Sequence, residues 1–381
     1  MLYLDNAATS FPKPEQVYQA VDKCMRNYCG NPGRAGHKMA LQSAREIYQT
    51  RELISKLFNI KDPMRIIFTS NATEALNLAF KGLLKPQDHV ITSSMEHNSV
   101  IRPLNHLKEI GVDTTIIKCD NEGRLNLRAL EETICPNTKL ICITHASNVT
   151  GTLLPIDEVG KICKKHNIMF MVDASQTAGS YEIDVVKLGI DLLATAGHKG
   201  LMGPQGTGVL YIKEGIDLKP LKEGGTGSKS ELLTQPFIMP DYYESGTLNT
   251  PGIVGLGAGI KFILDTSIDK IKKHEQKLTK LMLEELKKIE NVIIYGVVDS
   301  NQQAAVISFN IKGLDSSETN YILDNEYDIY TRSGLHCAVL AHETIGTVEI
   351  GVVRVSFGYF NDENDVITII EAIKEIDRAQ L

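Results

Sequence analysis

Between residues 66 and 212, short and almost uninterrupted apolar runs alternate with segments of helical periodicity, which leaves few folds open. The runs fall at 66–69, 90–93, 115–118, 140–144, 169–172, 192–195 and 208–212, and helical patterns occupy 73–83, 98–110, 126–134 and 155–166. A strand that is apolar on both sides must be covered on both faces, and helices between successive strands supply that cover. The pattern therefore predicts an α/β fold with a mostly parallel sheet of about seven strands. Two helical stretches, near 14–29 and 37–58, precede the sheet and flank the turn Gly30-Asn-Pro-Gly-Arg-Ala-Gly36. After about residue 250 the pattern changes to a long helical run over 252–289, strands at 292–295, 305–309 and 352–356, a helix near 316–325 and a final helix from 362. Grouped in this way, these elements predict a smaller α+β unit. The expected division is a large domain over 1–250, with an N-terminal helical segment over 1–60, and a small C-terminal domain over 251–381.

The chain has 381 residues, enough for two domains with a sizeable core. Forty Lys and Arg against 47 Asp and Glu leave a net charge of −7. That balance, with no long basic run, argues against nucleic acid as a main partner. No apolar stretch approaches the ~20 residues that span a bilayer, so no membrane partner is expected. Met1-Leu-Tyr-Leu-Asp-Asn6 has no basic and apolar export pattern, and a cytoplasmic location is expected. The seven cysteines are odd in number, scattered and without a C-x-x-C pair, which fits a reducing compartment and predicts neither a disulfide framework nor a metal site.

In a parallel α/β sheet, ligands bind beyond the carboxyl ends of the strands. The polar residues there are Asn71-Ala-Thr-Glu74, Glu96-His-Asn98, Ser147-Asn148, Asp173-Ala-Ser-Gln176 and Gly197-His-Lys-Gly200. Taken singly, each is more simply explained by strand ends meeting water. Together they carry a chemistry. Lys199 sits between glycines, held by backbone shape, and a lysine that bonds covalently to a carbonyl cofactor must be partly desolvated so that its amine can be neutral. Asp173 closes an apolar strand, where a carboxylate can hold a protonated pyridine nitrogen. The segment 70–76 opens a helix after a strand, so its N–H groups and Thr73 can cradle a phosphate, and His97 can stack on a planar ring.

These segments, with Tyr3-Leu-Asp-Asn-Ala-Ala8 and Gly246-Thr-Leu-Asn-Thr250, resemble in order and spacing the class V, fold-type I pyridoxal phosphate enzymes. Arg332-Ser-Gly-Leu-His-Cys-Ala338 resembles the cysteine-bearing loop of cysteine desulfurases, and the short gap from Cys337 to Arg354 is similar to that of the second, Suf-type group with its bacterial selenocysteine lyases. The resemblance implies that Lys199 bonds the cofactor and moves protons, that Asp173 pairs with its ring nitrogen, that His97 stacks on it and that Gln176 bonds its phenolic oxygen. Ala72, Thr73 and His198 would hold the phosphate, with Thr247 reaching it from the second subunit of a homodimer. Arg354, Asn148 and Arg332 would bind substrate, the Arg354 fork matching its carboxylate, and Cys337 would accept sulfur as a persulfide for a sulfur-acceptor protein.

Three departures stand out: Ala196 where the family carries Ser or Thr, Leu335 where the second group has a histidine before His336, and Gly33 where Suf-type enzymes tend to carry a histidine. The leading expectation is a desulfurase acting on L-cysteine. A selenocysteine lyase acting on L-selenocysteine is the nearest alternative, followed by a class V aminotransferase. A silent scaffold that only relays sulfur would need neither Lys199 nor Asp173. Cys337, between two arginines in a Gly-containing loop, reads as reactive because nearby cations favour the thiolate. Gly255-Leu-Gly-Ala-Gly259 resembles a dinucleotide fingerprint, but no strand precedes it, and close helix packing explains it better. His336 and His342 read as loop histidines.

Overall fold

The computed structural model describes residues 1–33 and 36–379; residues 34 and 35, in the Gly30–Gly36 turn, and the last two lie outside the described residues. A two-residue strand, β1 (Leu2–Tyr3), leads into helices α1 (Glu15–Asn27) and α2 (Lys38–Phe58). The alternating part follows as β2 (Ile66–Thr69), α3 (Ala72–Leu83), β3 (His89–Ser93), α4 (Asn98–Leu107), β4 (Asp113–Ile117), α5 (Leu127–Glu132), β5 (Thr138–Thr144), α6 (Ile156–His166), β6 (Met169–Asp173), β7 (Leu192–Ala196) and β8 (Gly208–Ile212). The remainder is α7 (Thr250–Thr266), α8 (Ile268–Leu286), β9 (Val292–Tyr295), β10 (Val306–Ile311), α9 (Ser316–Tyr327), β11 (Ile329–Tyr330), β12 (Arg332–Gly334), α10 (Val339–Ile345), β13 (Val352–Ser356) and α11 (Glu363–Arg378).

Strands β2 to β8 form one seven-stranded sheet in the order β2-β8-β7-β6-β5-β3-β4. β8 runs antiparallel to both β7 and β2, so β2 points the same way as β7 and its carboxyl end joins the others on one edge. The inner strands are buried along nearly their whole length because helices cover both faces, which is why they read as continuous apolar runs. Two large apolar clusters occupy the two sides of this sheet, and a third lies against the four-stranded sheet β12-β13-β10-β9.

The long helix expected over 252–289 is two helices. The chain turns at Ser267, whose φ is 79°, and α7 and α8 meet at 84°. Among the described residues no single helix is long and apolar enough to cross a membrane. The glycines of 255–259 lie inside α7, where a Cβ on Gly257 would come within 2.4 Å of Thr50 Oγ1 and one on Gly259 within 2.6 Å of the Leu201 carbonyl. They let α7 press against α2 and the segment after Lys199; no nucleotide turn is formed.

A buried ion pair fixes the segment that follows the large sheet. Arg51 on α2 and Glu244 lie 2.5 Å apart with side chains only 4% and 3% exposed. Arg51 also stacks over Phe68 and donates to the Ile66 carbonyl, and Glu244 accepts the Phe68 N–H. Removing one member leaves the other charge buried, so Arg51→Met is expected to cost about 3–5 kcal/mol. Arg51→Met combined with Glu244→Met should cost much less, since no uncompensated charge remains. Urea midpoints check this; a double variant as unstable as the single one would contradict it.

The residues after β1 run between the two sheets. β1 pairs in parallel with β11. Asn6 donates to the Ser356 carbonyl at 3.1 Å, and the Ala7 N–H donates to Ser356 Oγ at 2.8 Å. Ser10 Oγ then donates to the Lys199 carbonyl at 2.9 Å, and Gln176 donates to the Ala7 carbonyl at 3.2 Å. This segment straps β13 of the small sheet to the lysine turn of the large one.

Candidate active site

The carboxyl edge of the large sheet opens onto a cavity of about 230 Å³. Lys199, Asp173, Gln176, His97, Ala72, Thr73 and His198 line it from the large sheet, together with Asn148. Arg332 on β12 and Arg354 on β13 close it from the small one. Residues spread over almost 300 positions thus share one cleft. Ala196, buried, also lines it.

Each side chain is held by local structure. Asn71 caps α3 by accepting the Glu74 N–H at 2.8 Å, leaving the first N–H groups of this twelve-residue helix directed at the cleft. His97 caps α4 through Nδ1, which accepts the Ser99 N–H at 3.0 Å. With Nδ1 an acceptor, the ring proton belongs on Nε2. Ser99 Oγ lies 2.7 Å from Thr73 Oγ1, so one serine joins the two segments. Asp173 ends β6 and spends Oδ1 on the Ser175 N–H and hydroxyl, at 3.0 and 2.5 Å.

Burial lowers the Lys199 amine to about 8, with Arg354 and Arg332 acting in the same direction and Asp173 opposing them. The neutral amine is therefore far more available near neutral pH than that of an ordinary lysine. Burial and the Lys199 charge hold His97 at about 4, so its ring is uncharged at pH 7. His198 is lowered to about 4, first by burial and then by Lys199 and Lys13, and its buried Nδ1 has no partner among the described residues. Arg354 is 1% exposed; Nη2 donates to Asp5 at 2.7 Å and Nη1 to the Asn148 carbonyl at 2.9 Å. Its Nε, like Asn148 Oδ1, is buried without a partner among the described residues.

Cys337 is exposed at the lip of the cleft. Asn98 N–H donates to the Cys337 carbonyl at 2.7 Å, and Asn148 Nδ2 donates to the His336 carbonyl at 2.7 Å. Arg332 Nη2 stands 3.7 Å from the sulfur. His336 and Cys337 both have positive φ, 49° and 57°, a conformation that non-glycine residues adopt only when their surroundings hold them there. Beneath the loop, the His336 and His342 rings stack with centroids 5.7 Å apart and both residues are buried. They brace the turn from inside. Among the described residues no group of His, Cys, Asp and Glu could hold a metal ion.

Thr247 is exposed and stands outside this cleft, 3.4 Å from Asn31 Nδ2. Gly33 lies in the left-handed region with open space where a Cβ would sit, and Leu335 is 39% exposed. Sequence reasoning missed Asp5, Ser99 and the internal position of His336. Asp5 stood in a noted motif without a role, and nothing local signals its pairing with a residue 349 positions away.

The aminotransferase class-V family model matches residues 2–369, and the chain belongs to that family. A probable cysteine desulfurase of Pyrococcus abyssi is 38% identical to it over 99% of this chain and 94% of that protein. The solved apo structure of a cysteine desulfurase from Thermococcus onnurineus NA1 matches with a TM-score of 0.94 and 35% identity, covering 99% of this chain and 95% of that one. The cysteine desulfurase CsdA of Escherichia coli, in an S-sulfonic acid form, matches with a TM-score of 0.89 and 28% identity, covering 100% and 95%.

Proposed function

We propose that the chain is a pyridoxal-phosphate-dependent cysteine desulfurase that converts L-cysteine to L-alanine and keeps the sulfur as a persulfide on Cys337. One observation carries this reading. The loop bearing Cys337 is tied through its main chain to Asn98 and Asn148, and its thiol stands 3.7 Å from Arg332, which lines the cleft together with Lys199 and Asp173.

The residues present fit the cofactor. A phosphate matches the free N–H groups at the start of α3, Thr73 Oγ1 and the unpartnered His198 Nδ1. A pyridine ring matches the buried Asp173 carboxylate, whose Oδ2 makes no hydrogen bond among the described residues, together with Gln176 and the uncharged His97 ring. Lys199, with its amine lowered to about 8, is the group that would bond the cofactor. When bound, the cofactor supplies a conjugated ring that takes up the electron pair left as the substrate α-proton departs.

The chain's own groups do the rest. Arg354 would orient the substrate carboxylate, with Asn148 beside it. Lys199, able to be neutral or charged near neutral pH, would move the protons. The Cys337 thiolate, beside Arg332, attacks the substrate sulfur: the S–S bond forms as the C–S bond breaks, and the pair left on carbon takes a proton to give alanine. L-cysteine and Cys337–SH become L-alanine and Cys337–S–SH, with no outside oxidant. Exposure at the lip leaves the persulfide open to a sulfur-acceptor protein. Thr247, exposed on the segment that Glu244 anchors, would complete the phosphate site of a second copy in a homodimer.

The test uses the protein loaded with pyridoxal phosphate. Borohydride should fix the cofactor to Lys199, sedimentation should show a dimer, and L-cysteine should yield alanine with a persulfide on Cys337. L-selenocysteine is supplied in parallel. Label elsewhere, or fast selenide release with no protein persulfide from L-cysteine, would displace the desulfurase reading.

A further inference from the structure

Arg354 enters the cleft already partnered. It is buried to 1%, and a buried guanidinium with no counter-charge is strongly destabilising. Asp5 supplies that charge at 2.7 Å, and its own side chain keeps 19% exposure. Asp5 cannot swing away easily: its main chain bridges to Ser356, and its carbonyl accepts the Ala8 N–H at 3.0 Å and the Tyr3 hydroxyl at 3.1 Å. The guanidinium is held on its other side by the Asn148 carbonyl. One contact on each of Nη1 and Nη2 leaves further N–H groups unused, and Nε is buried without a partner among the described residues. A carboxylate arriving there adds to Asp5 and does not replace it. Two anions then share the Arg354 guanidinium.

We propose that Asp5 is a positioning residue, the resident counterion of Arg354, with which the α-carboxylate of an amino-acid substrate must share the guanidinium, so that Asp5 sets how tightly the cleft holds α-amino carboxylates. The inference rests on reading Arg354 as the carboxylate-binding group. Asp5 thus stabilises the empty cleft and weakens the filled one. This divides charge from geometry, because asparagine at position 5 keeps an oxygen for Arg354 Nη2 and loses only the negative charge.

The experiment titrates pyridoxal-phosphate-loaded enzyme, calorimetrically, with L-alanine and with ethylamine, which has no carboxylate. In Asp5→Asn the L-alanine Kd should fall about three- to tenfold, since a like charge near the bound carboxylate is gone. The ethylamine Kd should stay where it was. The ligand-free melting temperature should drop by several degrees, because the guanidinium is left uncompensated. Asp5→Ser gives a second neutral variant with the same expected signs. An unchanged or larger L-alanine Kd in both variants, or equal shifts for both ligands, would overturn the proposal. Should either variant unfold, L-alanine but not ethylamine must restore its fold, and absence of that rescue overturns it too. Wild-type enzyme that binds L-alanine but makes none from L-cysteine would sink the desulfurase reading alone. Wild-type enzyme that makes alanine beside unaltered variants would sink the role of Asp5 alone.

Discussion

Cys337→Ala should lower alanine production from L-cysteine by at least about a thousandfold, the scale expected when a covalent nucleophile is lost. The groups proposed to hold cofactor and substrate, among them Lys199, Asp173 and Arg354, line the cleft, and the loop is tied to Asn98 and Asn148 through its main chain, so neither needs the Cys337 side chain. Binding of pyridoxal phosphate and of L-cysteine should therefore persist, as a colour change on mixing would report. L-selenocysteine should lose less, because selenium leaves more readily and has less need of a thiolate to receive it. Rates of alanine release from the two substrates decide the matter, and wild-type turnover of L-cysteine in this variant would make Cys337 a bystander.

Lys199→Met carries an equally large loss and an unexpected gain. Turnover should fall by about four orders of magnitude or more, since the residue proposed to bond the cofactor and move protons is gone. The cofactor-free protein should become more stable at pH 7. In the wild type the Lys199 amine titrates at about 8 in the folded state, below its ordinary 10.5. Between those values the unfolded chain binds more protons than the folded one, so wild-type stability rises with pH across the window, and below about 8 the full penalty of burying the charge is present. Methionine removes that penalty, on the order of 2 kcal/mol after allowing for partial exposure of the side chain. Its advantage should be full at pH 7 and fade towards pH 10.5. Urea titrations at pH 7 and pH 10 measure it, and a variant no more stable than wild type at pH 7 would show that the amine is better solvated than its surroundings imply.

How much of this could be read from the chain alone depended on sequence distance. The seven strands of the large sheet were legible because burial on both faces writes an apolar run for each, and their ends moved by a residue or two on folding. The break at Ser267 was not, because the apolar periodicity of α7 continues into α8 and the turn depends on one positive φ. β1, β11 and β12 are two or three residues long, too short to carry any period. In the cleft, the strand-end rule pointed to Thr73, His97, Asp173 and Lys199, each of which lies at or just beyond the carboxyl end of a strand. It could not find the Asp5–Arg354 pair, formed between distant segments, or Ser99, whose hydroxyl matters only because α3 and α4 lie side by side.

The strap between the sheets also orders events in time. Leu4 donates its N–H to Tyr330, Asn6 reaches Asn361, and Asp5 meets Arg354, so the start of the chain is completed by partners near its other end. The large sheet has all its strands by Ile212. At ~5–20 residues per second the ribosome needs roughly seven to thirty seconds more to deliver position 361. For most of that interval Lys199 already follows a finished strand, while Arg354 and the loop of Cys337 are still to be made. A nascent chain therefore carries Lys199 before it carries the groups proposed to hold the substrate carboxylate and to accept sulfur, and the cleft is complete only when the last sheet closes.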